Sequence, residues 1–141
     1  MTDDPTASPS ARSASPTPGW PRVVATIAGV FFLLTGLGAL AAPRAFFDAV
    51  ATFEPYNPHF LQDIGAFQIG LGAVLLLAAV HTDALVVALT GVGVGSAAHL
   101  VSHVVGLDLG GNPATDLPLF AVLTLALLAG GLSRWTSVRR R

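Results

Sequence analysis

The chain contains no cysteine and no lysine, and only 11% of its 141 residues are charged. Without cysteine there is no disulfide, no thiolate metal site and no cysteine redox chemistry. Without lysine, all seven basic side chains are arginines. Ordinary soluble domains carry roughly 25% charged residues. A soluble fold this poor in charge struggles to cover its own surface, whereas a chain that faces lipid does not. The net charge of −1 argues against nucleic acid as a partner.

What the chain does have is long apolar runs, with hydrophobic residues making up 52%. Ala, Gly, Val, Leu and Pro dominate, a composition that suggests a high-GC bacterial source. Residues 1–19 are rich in Ser, Thr, Pro and Ala with no apolar period, which predicts a disordered tail. Trp20 sits where an interfacial anchor belongs. The run from Val23 to Ala42 carries no charge, and twenty residues at about 1.5 Å each span about 30 Å, the thickness of a hydrocarbon core. That run exceeds a signal-peptide core and follows a long polar tail, so a retained helix is expected.

The spacing predicts four membrane helices at about 23–42, 58–80, 84–106 and 117–133. Asn57 and Pro58 suit the cap and first position of the second helix. Asp83 caps the third, Gly106 suits its end, and Asp116 and Pro118 open the fourth. Residues 44–56 form the longest loop. Phe46, Phe47, Val50 and Phe53 there fit either a short interfacial amphipathic helix or an aromatic loop packed on the bundle.

The fold class expected is an all-α integral membrane protein, a four-helix antiparallel bundle over residues 20–135, followed by a basic tail at 136–141. Arg12, Arg22 and the four arginines from Arg134 onward flank the two ends, while the loops hold only Arg44. The positive-inside rule then places both termini in the cytoplasm of a multi-pass protein of the bacterial cytoplasmic membrane. The lipid bilayer is the first partner; a homo-oligomer or a place in a larger membrane complex is the second.

Close helix packing in lipid relies on small residues. Gly91 and Gly95 supply them on the third helix. On the second, Ala66, Gly70 and Ala73 line one side, and Gly65 and Gly72 nearly the opposite one. A helix small on two faces is expected to have neighbours on two faces.

The chemistry-bearing residues also repeat at four-residue steps. His99 and His103 continue the line of Gly91 and Gly95, and His59 and Asp63 share a face of the second helix. In antiparallel order Asp63 lies roughly 7 Å in from its helix start, and His103 and His99 roughly 4 and 10 Å in from theirs. One carboxylate and three imidazoles are therefore expected to converge near the outer surface. Three readings follow. Asp63 pairs with His99 or His103 and fixes helix docking; or His99, His103, His59 and Asp63 bind a divalent metal ion such as Zn, Cu or Mn; or His and Asp exchange protons at a quinone-linked site. Bis-histidine haem does not fit, because two ligands on one helix face cannot flank one iron. His81 lies at the other end. Gln62 is a polar extra, and Gln68 suits a helix–helix hydrogen bond.

Three segments carry a family resemblance. They are Gly36-Leu37-Gly38-Ala39-Leu40-Ala41-Ala42-Pro43, Tyr56-Asn57-Pro58-His59-Phe60-Leu61-Gln62-Asp63-Ile64-Gly65-Ala66, and His99-Leu100-Val101-Ser102-His103. Over residues 23–133 the chain resembles the DoxX-like superfamily of small four-helix membrane proteins, most closely bacterial members without known activity. The resemblance implies a four-helix membrane fold. The name-giving members are associated with thiosulfate:quinone oxidation and redox homeostasis, but no catalytic residue carries over. The reading favoured is a structural or assembly subunit without catalysis of its own. The alternative is a metal-binding or quinone-linked redox component.

Overall fold

The computed structural model describes residues 19–140. The expected tail thus lies outside the described residues, apart from Gly19. Among the described residues there is no strand. The α-helices are α1 (Trp20–Ala41), α2 (Pro43–Ala49), α3 (Pro58–Val80), α4 (Leu85–Val105) and α5 (Pro113–Arg139). All but α2 are long and apolar enough to cross a membrane.

Three of the four expected helices match to within a few residues. The start of α3 follows from its cap: Asn57 Oδ1 accepts the Phe60 N–H at 3.1 Å, and Pro58 occupies the first turn. The fourth helix departs from expectation at both ends. It begins at Pro113 rather than 117: Pro113 takes the first turn as Pro58 does, and the Asp116 carboxylate, not the Asn112 side chain, closes that turn by accepting the Asn112 N–H. Pro118 falls inside it and leaves the Ala114 carbonyl without its usual amide donor. At the far end the helix continues to Arg139, so most of the expected basic tail is helical.

The loop after α1 satisfies both expectations in part. Pro43–Ala49 is helical, and beyond it aromatic rings pack edge to face. Phe47 meets Phe53 and Tyr56 at centroid distances of 6.1 and 5.0 Å, and Phe53 meets Phe60 at 5.9 Å. The Arg44 guanidinium lies over Phe47 and Tyr56. Such contacts add roughly 0.5–1.5 kcal/mol per ring pair beyond burial.

The long helices associate as two close pairs, α1 with α3 and α4 with α5, with α1 also touching α5. Glycine sets both contacts. A Cβ added at Gly36 would lie 2.7 Å from the Gly65 carbonyl oxygen, and one at Gly72 would lie 2.8 Å from that of Gly29. In the other pair, a Cβ at Gly131 would press on Thr90 Oγ1, and one at Gly93 on Leu128. Gly65 and Gly72 therefore pack as expected. Gly70, Gly91 and Gly95 do not: a Cβ on any of them meets nothing within 4 Å. The second neighbour expected for α3 is met only near the turn, where Leu75, Ala78 and Ala79 pack with Leu85, Ala88 and Leu89; beyond it α4 turns to α5. Between α3 and α4 lies an open apolar cleft of about 570 Å³ lined by Leu71, Val74, Leu77, Val87 and Gly91 among others.

One apolar core joins the pairs near the short α3–α4 turn, built from Ala25, Ala28, Phe32, Leu75, Ala78, Leu85, Leu89, Val92 and Leu127 with their neighbours. At this turn end Arg22 Nε donates to the Ala79 carbonyl at 2.9 Å, tying the start of α1 to the end of α3. At the opposite, loop end, the Gly111 N–H donates to the Thr52 carbonyl at 3.2 Å. The φ values of Gly110 and Gly111, +114° and +82°, are open to glycine at little cost. A Cβ at Gly110 would also come within 2.9 Å of the Thr52 oxygen.

Gly36→Leu and Gly65→Leu should each destabilise the detergent-solubilised protein by roughly 3 kcal/mol or more, since backbone rather than a flexible side chain stands in the way. Gly95→Ala should be neutral or mildly stabilising, by up to about 1 kcal/mol. Thermal unfolding followed by circular dichroism checks all three.

Candidate functional site

The conspicuous polar cluster lies at the loop end, between α4 and α5. His99 and His103 are one turn apart on α4, with ring centroids 4.7 Å apart and an interplanar angle of 76°. Phe120 of α5 completes the trio, 4.5 Å from His99 and 4.8 Å from His103. His103 Nδ1 lies 4.0 Å from Asp116 Oδ2. The same carboxylate oxygen accepts the Asn112 N–H at 2.8 Å. Asp116 therefore closes the first turn of α5 while facing the end of α4. A negative charge there also opposes the positive end of the α5 dipole.

The other two expected members are elsewhere. His59 Nε2 and Asp63 Oδ2 lie 3.6 Å apart on α3, with side chains 84% and 58% exposed. The four residues are thus divided between two pairs on different helices. Among the described residues no group of three or more His, Asp or Glu side chains is placed to hold a metal ion. The expected convergence of Asp63 with His99 and His103 fails for a geometric reason. Four-residue steps on an α-helix drift by about 40° each, so Gly91 to His103 rotates by about 120°. The glycine end of that line borders the open cleft beside α3, and the histidine end has turned to α5.

Asp116 and Phe120 are the partners that the sequence argument missed. A signal for them exists. Asp116, Phe120, Thr124, Leu127, Gly131 and Arg134 recur at three- and four-residue steps. Thr124, Leu127, Gly131 and Arg134 on this face are buried. Asp116 looked like a helix cap, and capping did not suggest a second role.

The remaining polar residues behave variously. Gln62 is exposed. Gln68 lies against α1, its Cβ 3.0 Å from a Cβ built on Gly36. Its Oε1 is buried without a hydrogen-bond partner among the described residues, so the expected helix–helix hydrogen bond is not made by that atom. Thr124 Oγ1 is in the same position. His81 lies at the turn end, its ring nitrogen 3.1 Å from the Leu77 carbonyl.

In chemical terms the α4–α5 cluster is a clasp. It joins a carboxylate, two imidazoles and a phenyl ring across a seven-residue connection, and it uses the carboxylate twice. No family model, curated protein or solved structure matches the chain.

Asp116→Ala should lower stability by about 1 kcal/mol or somewhat more, because the Asn112 N–H loses its acceptor. Asp116→Asn, which keeps an acceptor oxygen, should recover most of that loss. Thermal midpoints of the two variants in the same detergent make the comparison.

Proposed function

We propose that this chain is a four-pass protein of the bacterial cytoplasmic membrane, DoxX-like in architecture, that serves as a structural or assembly subunit without catalysis of its own. One observation carries the reading. His103 of α4 faces Asp116 of α5, and Asp116 also accepts the Asn112 N–H at the start of its own helix. Groups committed in this way hold helix ends in place.

The helix arrangement supports an antiparallel bundle. Gly36 meets Gly65 while Gly29 meets Gly72, and Thr90 meets Gly131 while Gly93 meets Leu127; in each pair one number rises as the other falls. The charge distribution supports the orientation. Arg22, Arg134, Arg139 and Arg140 flank the turn end and Arg44 alone flanks the loop end, which sets the turn end in the cytoplasm under the positive-inside rule. Trp20 and Trp135 stand at that same end, as membrane-interface anchors do.

The test combines topology and cluster chemistry. Single cysteines placed at Thr52 and Leu109 should react with a membrane-impermeant maleimide in intact cells, and cysteines at the two termini should react only after lysis. The His99→Ala/His103→Ala variant should unfold at a lower temperature and match the wild type in metal content by elemental mass spectrometry. Labelled termini in intact cells would overturn the topology. A stoichiometric metal lost only from the variant would overturn the structural role of the cluster.

A further inference from the structure

We propose that the turn end of the bundle binds the headgroups of anionic phospholipids, through Arg139 and Arg140 at the end of α5. The inference rests on the membrane reading above.

The two ends of the chain differ in charge. Arg22, Arg134, Arg139 and Arg140 belong to the turn end, with Arg12 before α1 and Arg141 after α5. The acids on that side are Asp3, Asp4 and Asp83. The loop end reverses the balance, with Arg44 against Asp48, Glu54, Asp63, Asp108 and Asp116. Orientation in a membrane needs only the count of arginines. The geometry of two of them goes further.

Arg22 is committed within the protein, to the Ala79 carbonyl. Arg139 and Arg140 are exposed, and among the described residues no carboxylate pairs with either. The helix α5 continues as far as Arg139, one turn and about 6 Å past Trp135. There the Arg139 guanidinium lies over the Trp135 ring, 5.1 Å from its centre. Trp135 and Trp20 are both exposed at this end, and tryptophans of a membrane protein sit at headgroup level. Stacking restrains the long arginine side chain and leaves its in-plane N–H groups free to donate. Their fork matches a phosphate, which accepts two parallel N–H···O bonds. A phospholipid supplies that phosphate at the depth the indole marks. The excess of arginine over acid at this end selects the anionic lipids, because a zwitterionic headgroup brings an ammonium group that the arginines repel.

The two tryptophans of the chain both stand at this end and report on their lipid neighbours. The full chain is reconstituted into equimolar phosphatidylglycerol and phosphatidylcholine vesicles at low salt. One lipid or the other carries brominated acyl chains, which quench indole fluorescence on contact. The expected result is a preference for phosphatidylglycerol of about fivefold or more, the factor that one arginine supplies near an anionic surface. Arg139→Gln/Arg140→Gln should bring the preference close to unity, and Arg44→Gln should leave it unchanged. Both replaced side chains of the double variant are exposed, and circular dichroism checks that its helices persist. Equal quenching by the two lipids in the wild type, an undiminished preference in the double variant, or the same loss from Arg44→Gln would each overturn the proposal. Vesicles present the same rim to lipid in either orientation of the protein, so this readout is independent of topology. The expected cysteine labelling without a lipid preference refutes this site alone. Labelled termini in intact cells refute the orientation proposed above, and the quenching result still decides the site.

Discussion

The structure depends on glycine permitting backbone-to-backbone contact between helices. Close approach brings dispersion contacts along the length of each helix pair. Gly36 and Gly65 exclude even a methyl group between α1 and α3. Gly93, Gly130 and Gly131 bring α4 and α5 together. Once these pairs form, the apolar core near the turn end joins them, and the Thr52–Gly111 hydrogen bond ties the loops at the other end.

This pairing decides what the polar residues meet. Because α4 packs on α5, its histidines find Phe120 and Asp116, the nearest groups of that helix. Because α3 packs on α1, His59 and Asp63 remain on an outer surface with each other. The carboxylate that joins the histidines comes from the next helix in sequence, after a short connection. That order favours local assembly, since short loops cost little to close.

Much of this was readable from residues alone. The four apolar runs, the Asn57-Pro58 start and the packing role of Gly65 and Gly72 all follow from length, capping chemistry and helical period. The start of α5 was equally readable from Asn112-Pro113 but was masked by Asp116 and Pro118, two later residues with start-like chemistry. The site was less legible. His59, Asp63, His99 and His103 were recognisable as unusual because ionisable groups are rare in apolar helices. Which of them meet depends on which helices pair, and small residues on both faces of α3 left that choice open. The line from Gly91 to His103 misled for a further reason, since a four-residue step is not a straight line on a helix of 3.6 residues per turn.

The helix pairing itself is the central claim, and intramolecular disulfide formation tests it directly. In the cysteine-free background, Gly93→Cys/Leu127→Cys places paired Cβ atoms 3.3 Å apart, with only side-chain atoms close to a Cβ at Gly93; a disulfide spans roughly 3.5–4.5 Å between Cβ atoms, within reach of a small shift. This pair should close within one chain on mild oxidation, and Asp63→Cys/His103→Cys should not. Closure of the Asp63–His103 pair, with the Gly93–Leu127 pair remaining open, would contradict the pairing and restore a site shared between α3 and α4.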